Sequence, residues 1–157
     1  MSGKTRTIGL ASLLLALLVP ISAGTAGAAT GGEDRFAPGQ NQRIAVYGSP
    51  FGKMIYNSSR QAIYQFDRDS KGKSRCYGSC ARLWPPVLTR GKPRAIRGAR
   101  ANLLGTIKRK GGARQVTYNG WPLYYYEHEQ PGQVFCHNVF LNGGLWKVIR
   151  PNGRLAE

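Results

Sequence analysis

Four of the seven acidic residues stand in two pairs, Asp67 with Asp69 and Glu127 with Glu129. A spacing of two puts both carboxylates of a pair on one face if a strand runs through them. Paired carboxylates do general acid–base work, as a hydrolase needs, or hold Ca²⁺ with added carbonyl oxygens. The abundance of lysine and arginine favours a plainer role, in which the acids pair with cations or cap the turn after the strand. Cys76, Cys80 and Cys136 form a second group, and His137 adjoins the last of them. Cys76-x₃-Cys80 is not the C-x₂-C of thiol oxidoreductases and lacks the adjacent histidine of c-type haem attachment. Cys136-His137 beside His128 suggests copper or zinc, which accept imidazole and thiolate. Without a metal-spaced motif, no metal site and no cofactor is assigned. No G-x-S-x-G, H-E-x-x-H or phosphate-cradling glycine loop occurs, so no catalytic residue is named and the chain is not read as an enzyme.

Exported proteins usually pair their cysteines, and three leave one over. If residues 76–80 make one helical turn, the two Cα atoms lie roughly 6 Å apart, within the disulfide range. A Cys76–Cys80 bond is therefore expected, with Cys136 the odd thiol. Pairing of Cys136 with either of the others stays open.

The elements that must hold these groups come twice. Ile63-Tyr64-Gln65-Phe66-Asp67-Arg68-Asp69 returns as Leu123-Tyr124-Tyr125-Tyr126-Glu127-His128-Glu129. A cysteine follows each lead tyrosine by twelve residues, and Leu83-Trp84-Pro85-Pro86-Val87 has a counterpart in Leu145-Trp146-Lys147-Val148-Ile149. Two copies are too few for a solenoid, so one small domain with approximate two-fold symmetry is expected. Short alternating runs with turn residues between them argue strands. Gln115 to Tyr118 and Trp121 to Tyr126 flank Asn119-Gly120, the dipeptide of a type I′ hairpin. Met54 to Tyr56 and Gln61 to Phe66 flank a turn two residues longer. Gly111-Gly112 marks another hairpin tip, and Leu145 to Arg150 a last strand. Short helical turns fit Ser79 to Leu83, ended by Trp84-Pro85-Pro86, and Ala99 to Leu104. The class is mainly β: a small antiparallel domain of two pseudo-symmetric repeats with one or two short helical turns. Tyr64, Phe66 and Trp84, with Tyr124, Tyr126 and Trp146, should be its buried rings.

Residues 1–29 read as a signal peptide: Lys4 and Arg6, an apolar run from Ile8 to Val19, then small residues to Ala28-Ala29. The run is too short to span a bilayer, and no cysteine near the cleavage site offers a lipid anchor. Secretion with cleavage near Ala28 or Ala29, without lipidation, is expected. A disordered lead-in at 30–42 precedes a single β domain at 43–157. Within it lie repeat one (about 43–88), a basic linker (about 89–101) and repeat two (about 102–150). The chain carries 23 Lys+Arg against 7 Asp+Glu, a formal charge of +16. Arg90, Lys92, Arg94, Arg97, Arg100, Lys108, Arg109, Lys110 and Arg114 fall in one stretch without an acid. Such a field attracts anionic cell-wall polymer, lipid headgroups or nucleic acid; the plainer reading is an arginine-rich composition with a solvated face.

These residues together resemble a bacterial family described as a secreted repeat of unknown function, or predicted lipoproteins with a Yx(FWY)xxD motif. The motif stands here as Tyr64-x-Phe66-x-x-Asp69 and Tyr124-x-Tyr126-x-x-Glu129. Also similar are Cys76-Tyr77-Gly78-Ser79-Cys80-Ala81-Arg82-Leu83-Trp84-Pro85-Pro86, Leu104-Gly105-Thr106, Gln115 through Tyr124, and Gly143-Gly144-Leu145-Trp146. Glu129 replaces the second aspartate and the lipobox cysteine is missing, so the lipoprotein label does not transfer. The resemblance implies location and architecture. Function is expected to be that of a secreted, non-catalytic envelope or extracellular protein whose basic face binds anionic polymers. The alternative is redox or metal handling through Cys76, Cys80, Cys136 and His137.

Overall fold

The computed structural model describes residue 3 and residues 41–157. The expected signal peptide at 1–29 and lead-in at 30–42 lie outside the described residues, apart from Gly3, Asn41 and Gln42. Nine strands follow in order: β1 (Arg43–Ser49), β2 (Gly52–Asn57), β3 (Tyr64–Phe66), β4 (Arg94–Ala95), β5 (Leu104–Lys108), β6 (Arg114–Tyr118), β7 (Trp121–Pro122), β8 (Val139–Leu141) and β9 (Gly144–Val148). A five-residue helix, α1 (Ser79–Leu83), and a 3-10 turn at Ala101–Leu103 sit where short helical turns were expected. The strands form three small sheets, β2-β1-β4, β3-β9-β8 and β5-β6-β7. All pairings between them are antiparallel except β1 with β4.

Local chemistry explains the turns. Asn119 and Gly120 have φ of 51° and 82°, both positive as a type I′ turn requires. The first-copy loop is one residue longer rather than two, because Asn57 belongs to β2 and its amide still pairs with the Gln61 carbonyl at 3.1 Å. Its side-chain oxygen then accepts the amides of Ser59 and Gln61, each at 2.9 Å, which fixes the loop. The linker region is more than a connector, since β4 lies within it and sets Arg94 opposite Arg43.

The two copies interlock. β3 of copy one pairs with β9 of copy two, placing Tyr64 opposite Val148 and Phe66 opposite Trp146. Reciprocally, Tyr124 bridges Pro86. The Asp67 amide donates to the Leu145 carbonyl at 3.0 Å, and the Glu127 amide to the Leu83 carbonyl at 3.1 Å. Each tyrosine run thus lies beside the tryptophan segment of the other copy. The two runs meet where Tyr64 and Tyr124 exchange both amide–carbonyl bonds, at 2.8 and 3.0 Å.

Alternation along these runs sorts side chains into two cores. Tyr64, Phe66, Tyr124, Trp84, Trp146, Cys76 and Cys136 pack in one. Ile63, Leu123, Tyr125, Ile55, Val116 and Val87 pack in the other. With both faces covered, even Gln65 is buried. Five of the six expected rings are buried; Tyr126 is half-buried. The copies diverge between cysteine and tryptophan. Copy one makes α1 there, whereas copy two, two residues longer, makes the β8–β9 hairpin. Gly144 opens β9 because a Cβ would collide with Arg68, Asp67 and Phe66.

Candidate functional site

The motif residues of each copy complete those of the other. Tyr64 donates its hydroxyl proton to Glu129 Oε1 at 2.6 Å, and Tyr124 donates to Asp69 Oδ2 at 2.7 Å. Each acid also caps the loop that follows it, through the amide six residues on. Arg75 N lies 2.7 Å from Asp69 Oδ1, and Phe135 N 2.5 Å from Glu129 Oε1. Burial raises the carboxyl of Asp69 above its ordinary range, against the opposing pull of Tyr124, the Arg75 amide and Arg109. Burial likewise raises Glu129, opposed by Tyr64 and the amides of Phe135 and Cys136. Both tyrosine hydroxyls are raised, first by burial and next by the carboxylate each one faces.

The surroundings of the two acids differ. Arg109, 8% exposed, donates to Ser74 Oγ at 2.9 Å, to Gln115 Oε1 at 2.6 Å and to the Cys76 carbonyl at 2.6 Å. Ser74 Oγ lies 2.8 Å from the Tyr124 oxygen. With the tyrosine proton committed to Asp69, Ser74 is the donor in that contact. A relay therefore runs Arg109, Ser74, Tyr124, Asp69. On the other side Val134 replaces Ser74, and the Cys136 amide donates to the Tyr64 oxygen at 3.3 Å.

Four rings from alternate copies form a stack across the pseudo-axis. Phe66 stacks on Trp146 at 4.2 Å, Trp146 on Trp84 at 3.8 Å, and Trp84 meets Tyr126 at 4.7 Å. Tyr64 and Tyr124 add edge contacts to Trp84 and Trp146 at 5.4 and 5.3 Å. Offset stacks and edge contacts of this kind add about 0.5–1.5 kcal/mol per pair beyond buried area.

The candidate chemistry of the sequence is dispersed by this arrangement. β3 ends at Phe66, so Asp67 and Asp69 do not share a strand face; Asp67 and Glu127 are exposed while Asp69 and Glu129 are buried. Neither of these two pairs faces solvent together as acid and base. Cys76 and Cys80 are joined, with Cα atoms 5.3 Å apart, and Cys136 is a buried free thiol. Burial and the Glu129 charge push that thiol up to about 12, which makes it a poor nucleophile. His137 instead accepts the Val148 amide at 3.4 Å. Among the described residues no three His, Cys, Asp or Glu side chains converge on a metal-sized site.

Eight of the nine cations between residues 90 and 114 are exposed; Arg109 is the exception, turned inward to the relay. Register places Lys108 opposite Arg114, and the Thr89 amide bonds the Arg114 carbonyl, so Arg90 borders this edge. Sequence reading missed the inward turn of Arg109, the part of Ser74, and the crossing of the tyrosines to the opposite acids. The difference between Ser74 and Val134 was the trace of asymmetry available in the sequence.

Interlocked β repeats with a reciprocal tyrosine–acid bond define a duplicated β module. The family described as a secreted repeat of unknown function matches residues 49–88 and 105–149, more than half of the chain and one segment per copy. The chain belongs to that family. No curated protein and no solved structure matches it. No helix among the described residues is long and apolar enough to cross a membrane.

Proposed function

We propose that this protein is an exported, non-catalytic envelope or extracellular module whose basic edge binds anionic polymers. The observation that carries the reading is the segregation of charge. Arg90, Lys92, Arg94, Arg97, Arg100, Lys108, Lys110 and Arg114 are exposed, while Asp69 and Glu129 are withdrawn into the core. The exposed face along this stretch is therefore dominated by positive charge. The motif residues serve the fold in this reading, and ligands are met by the edge. Residues 1–29 act as the signal, cleaved near Ala28 or Ala29 with no lipid added, and 43–157 form one domain. N-terminal sequencing of secreted protein checks the export step; a start at Met1 or retention in the membrane refutes it.

Electrostatic binding must weaken steeply with salt, because each neutralised anion releases counterions. Binding to an anionic polymer should fall on the order of 10³-fold between 50 and 200 mM salt if about six contacts form. Binding indifferent to salt but abolished by Cys136→Ser or by a chelator would overturn this and favour redox or metal handling.

A further inference from the structure

Five non-glycine residues among those described have positive φ: Asn119 (51°), Asn138 (61°), Asn142 (53°), Arg60 (63°) and Arg97 (50°). Asparagine tolerates the left-handed region because its short amide bonds locally, so the first three follow the usual rule. Arginine has no such relief. Both arginines nevertheless place their guanidinium carbons over one ring, that of Tyr47, at 5.0 and 4.7 Å from its centroid. They reach it from separate segments. Arg60 ends the loop after β2, its amide bonded to Asn57 O at 3.1 Å and its carbonyl accepting the Gly132 amide at 2.8 Å. Arg97 opens a tight turn with Gly98 (φ 86°), closed by the Ala99 amide on Ile96 O at 3.1 Å. Two sites that asparagine or glycine would fill more cheaply thus hold cations, and the cations converge. Strained backbone persisting where charges converge points to a ligand.

We propose that Arg60, Arg97 and Tyr47 form an oxyanion site that takes the phosphate groups of an extended anionic polymer. Two guanidiniums sharing one ring lie within about 10 Å of each other and repel; an oxyanion bound by both relieves that repulsion. The planar guanidinium fork matches phosphate oxygens two at a time, and the ring holds each fork in place. A polymer fits better than a lone ion because charge continues along β1, from Tyr47 to Arg43 with Arg94 opposite it. The site takes its ligand class from the polyanion reading but adds Tyr47 and Arg60, which lie outside the basic stretch.

Asparagine at these positions suits the backbone, so Arg60→Asn with Arg97→Asn should fold and melt no lower than the parent. That pair of changes should weaken binding of a labelled single-stranded oligodeoxynucleotide, the phosphodiester probe, by at least about tenfold at low salt. A charge-matched control, Arg150→Asn with Arg154→Asn, should lose about threefold or less. The Tyr47 ring signals in NMR should shift on titration of the parent and stay still in the Arg60/Arg97 variant. Equal losses in both variants would sink this site while leaving the polyanion reading intact. A parent that binds no anionic polymer at low salt would sink both. Saturation by inorganic phosphate as tight as by the oligonucleotide, or tighter binding to phosphatidylglycerol vesicles, would overturn the polymer assignment in favour of a free ion or a headgroup.

Discussion

Around Asp69 the chain supplies a cation; around Glu129 the groups that oppose the effect of burial are a hydroxyl and two amides. The tyrosine–acid bond is nearly the same length at both ends, 2.7 and 2.6 Å, and both acids cap their loops six residues on. The bond and the cap therefore form the shared device, and the Arg109–Ser74 relay is an addition made on one side. An acid so held closes its own loop and anchors the opposite copy together, so neither repeat satisfies its own polar groups alone. Repeats built this way stand or fall as a pair.

The severest way to break the pairing is to remove a tryptophan from the stack. Trp84→Ala and Trp146→Ala should each cost about 3–5 kcal/mol, as for other large buried rings. Trp146 should be the costlier by about 1 kcal/mol, because its Nε1 donates to the Leu141 carbonyl at 3.0 Å whereas Trp84 Nε1 is buried without a partner in the structure. Urea unfolding of the two variants measures the difference, and a cheaper Trp146→Ala would contradict the assignment.

Next come the hydroxyls. Tyr64→Phe should cost about 2–3 kcal/mol, since it removes a charge-assisted bond from a buried carboxylate. Tyr124→Phe should cost less, because Arg109 still offsets the Asp69 charge. A double-mutant cycle sharpens the point: Tyr64 with Glu129→Gln should couple by about 1 kcal/mol or more, and Tyr64 with Asp69→Asn should add. Coupling within a copy but not across would show that the lock is not reciprocal in solution.

The disulfide belongs to copy one alone. Its five-residue loop is short, so the chain-entropy estimate gives about 2 kcal/mol, below the gain for longer loops. Unfolding with and without reductant should differ by that amount, and Cys136→Ser should leave the difference unchanged.

Much of this was legible in sequence, and the parts that were not share a cause. The Asn119-Gly120 hairpin, α1 and the Cys76–Cys80 bond rest on contacts within a few residues, which spacing specifies, and the duplication is the repeated spacing itself. Spacing does not say whose tryptophan segment lies beside Tyr64, because two equal copies offer two chemically equivalent partners. Asp67 and Asp69 would share a face only if the strand ran on; β3 turns at Phe66, where Asp69 N bonds back to Phe66 O at 3.2 Å, and Asp69 instead caps the following loop. Arg109 was counted with its neighbours as a surface cation. Its inward turn depends on Ser74, 35 residues away, and Gln115, which composition cannot couple to it.

The gentlest probe is pH. Asp69 and Glu129 both have carboxyls raised in the folded state by burial. A raised acid binds its proton more tightly when folded, so stability gained through it is present at low pH and lost as pH rises from about 4, the unfolded value, through the folded one. These two groups should therefore make the fold more stable in mild acid than at neutrality, opposite to the usual ion-paired carboxylate. Glu129→Gln mimics the protonated acid and should flatten its share of the slope. Asp69→Asn should flatten its own share too, but it also leaves the Arg109 charge without its anion, so it should cost more stability at neutral pH than Glu129→Gln does. Melting curves of the three proteins between about pH 4 and pH 8 separate these outcomes. A parent that loses stability on acidification through that window, with Glu129→Gln unchanged in slope, would mean that Glu129 is not held in the buried, hydroxyl-bonded state that makes the two copies one unit.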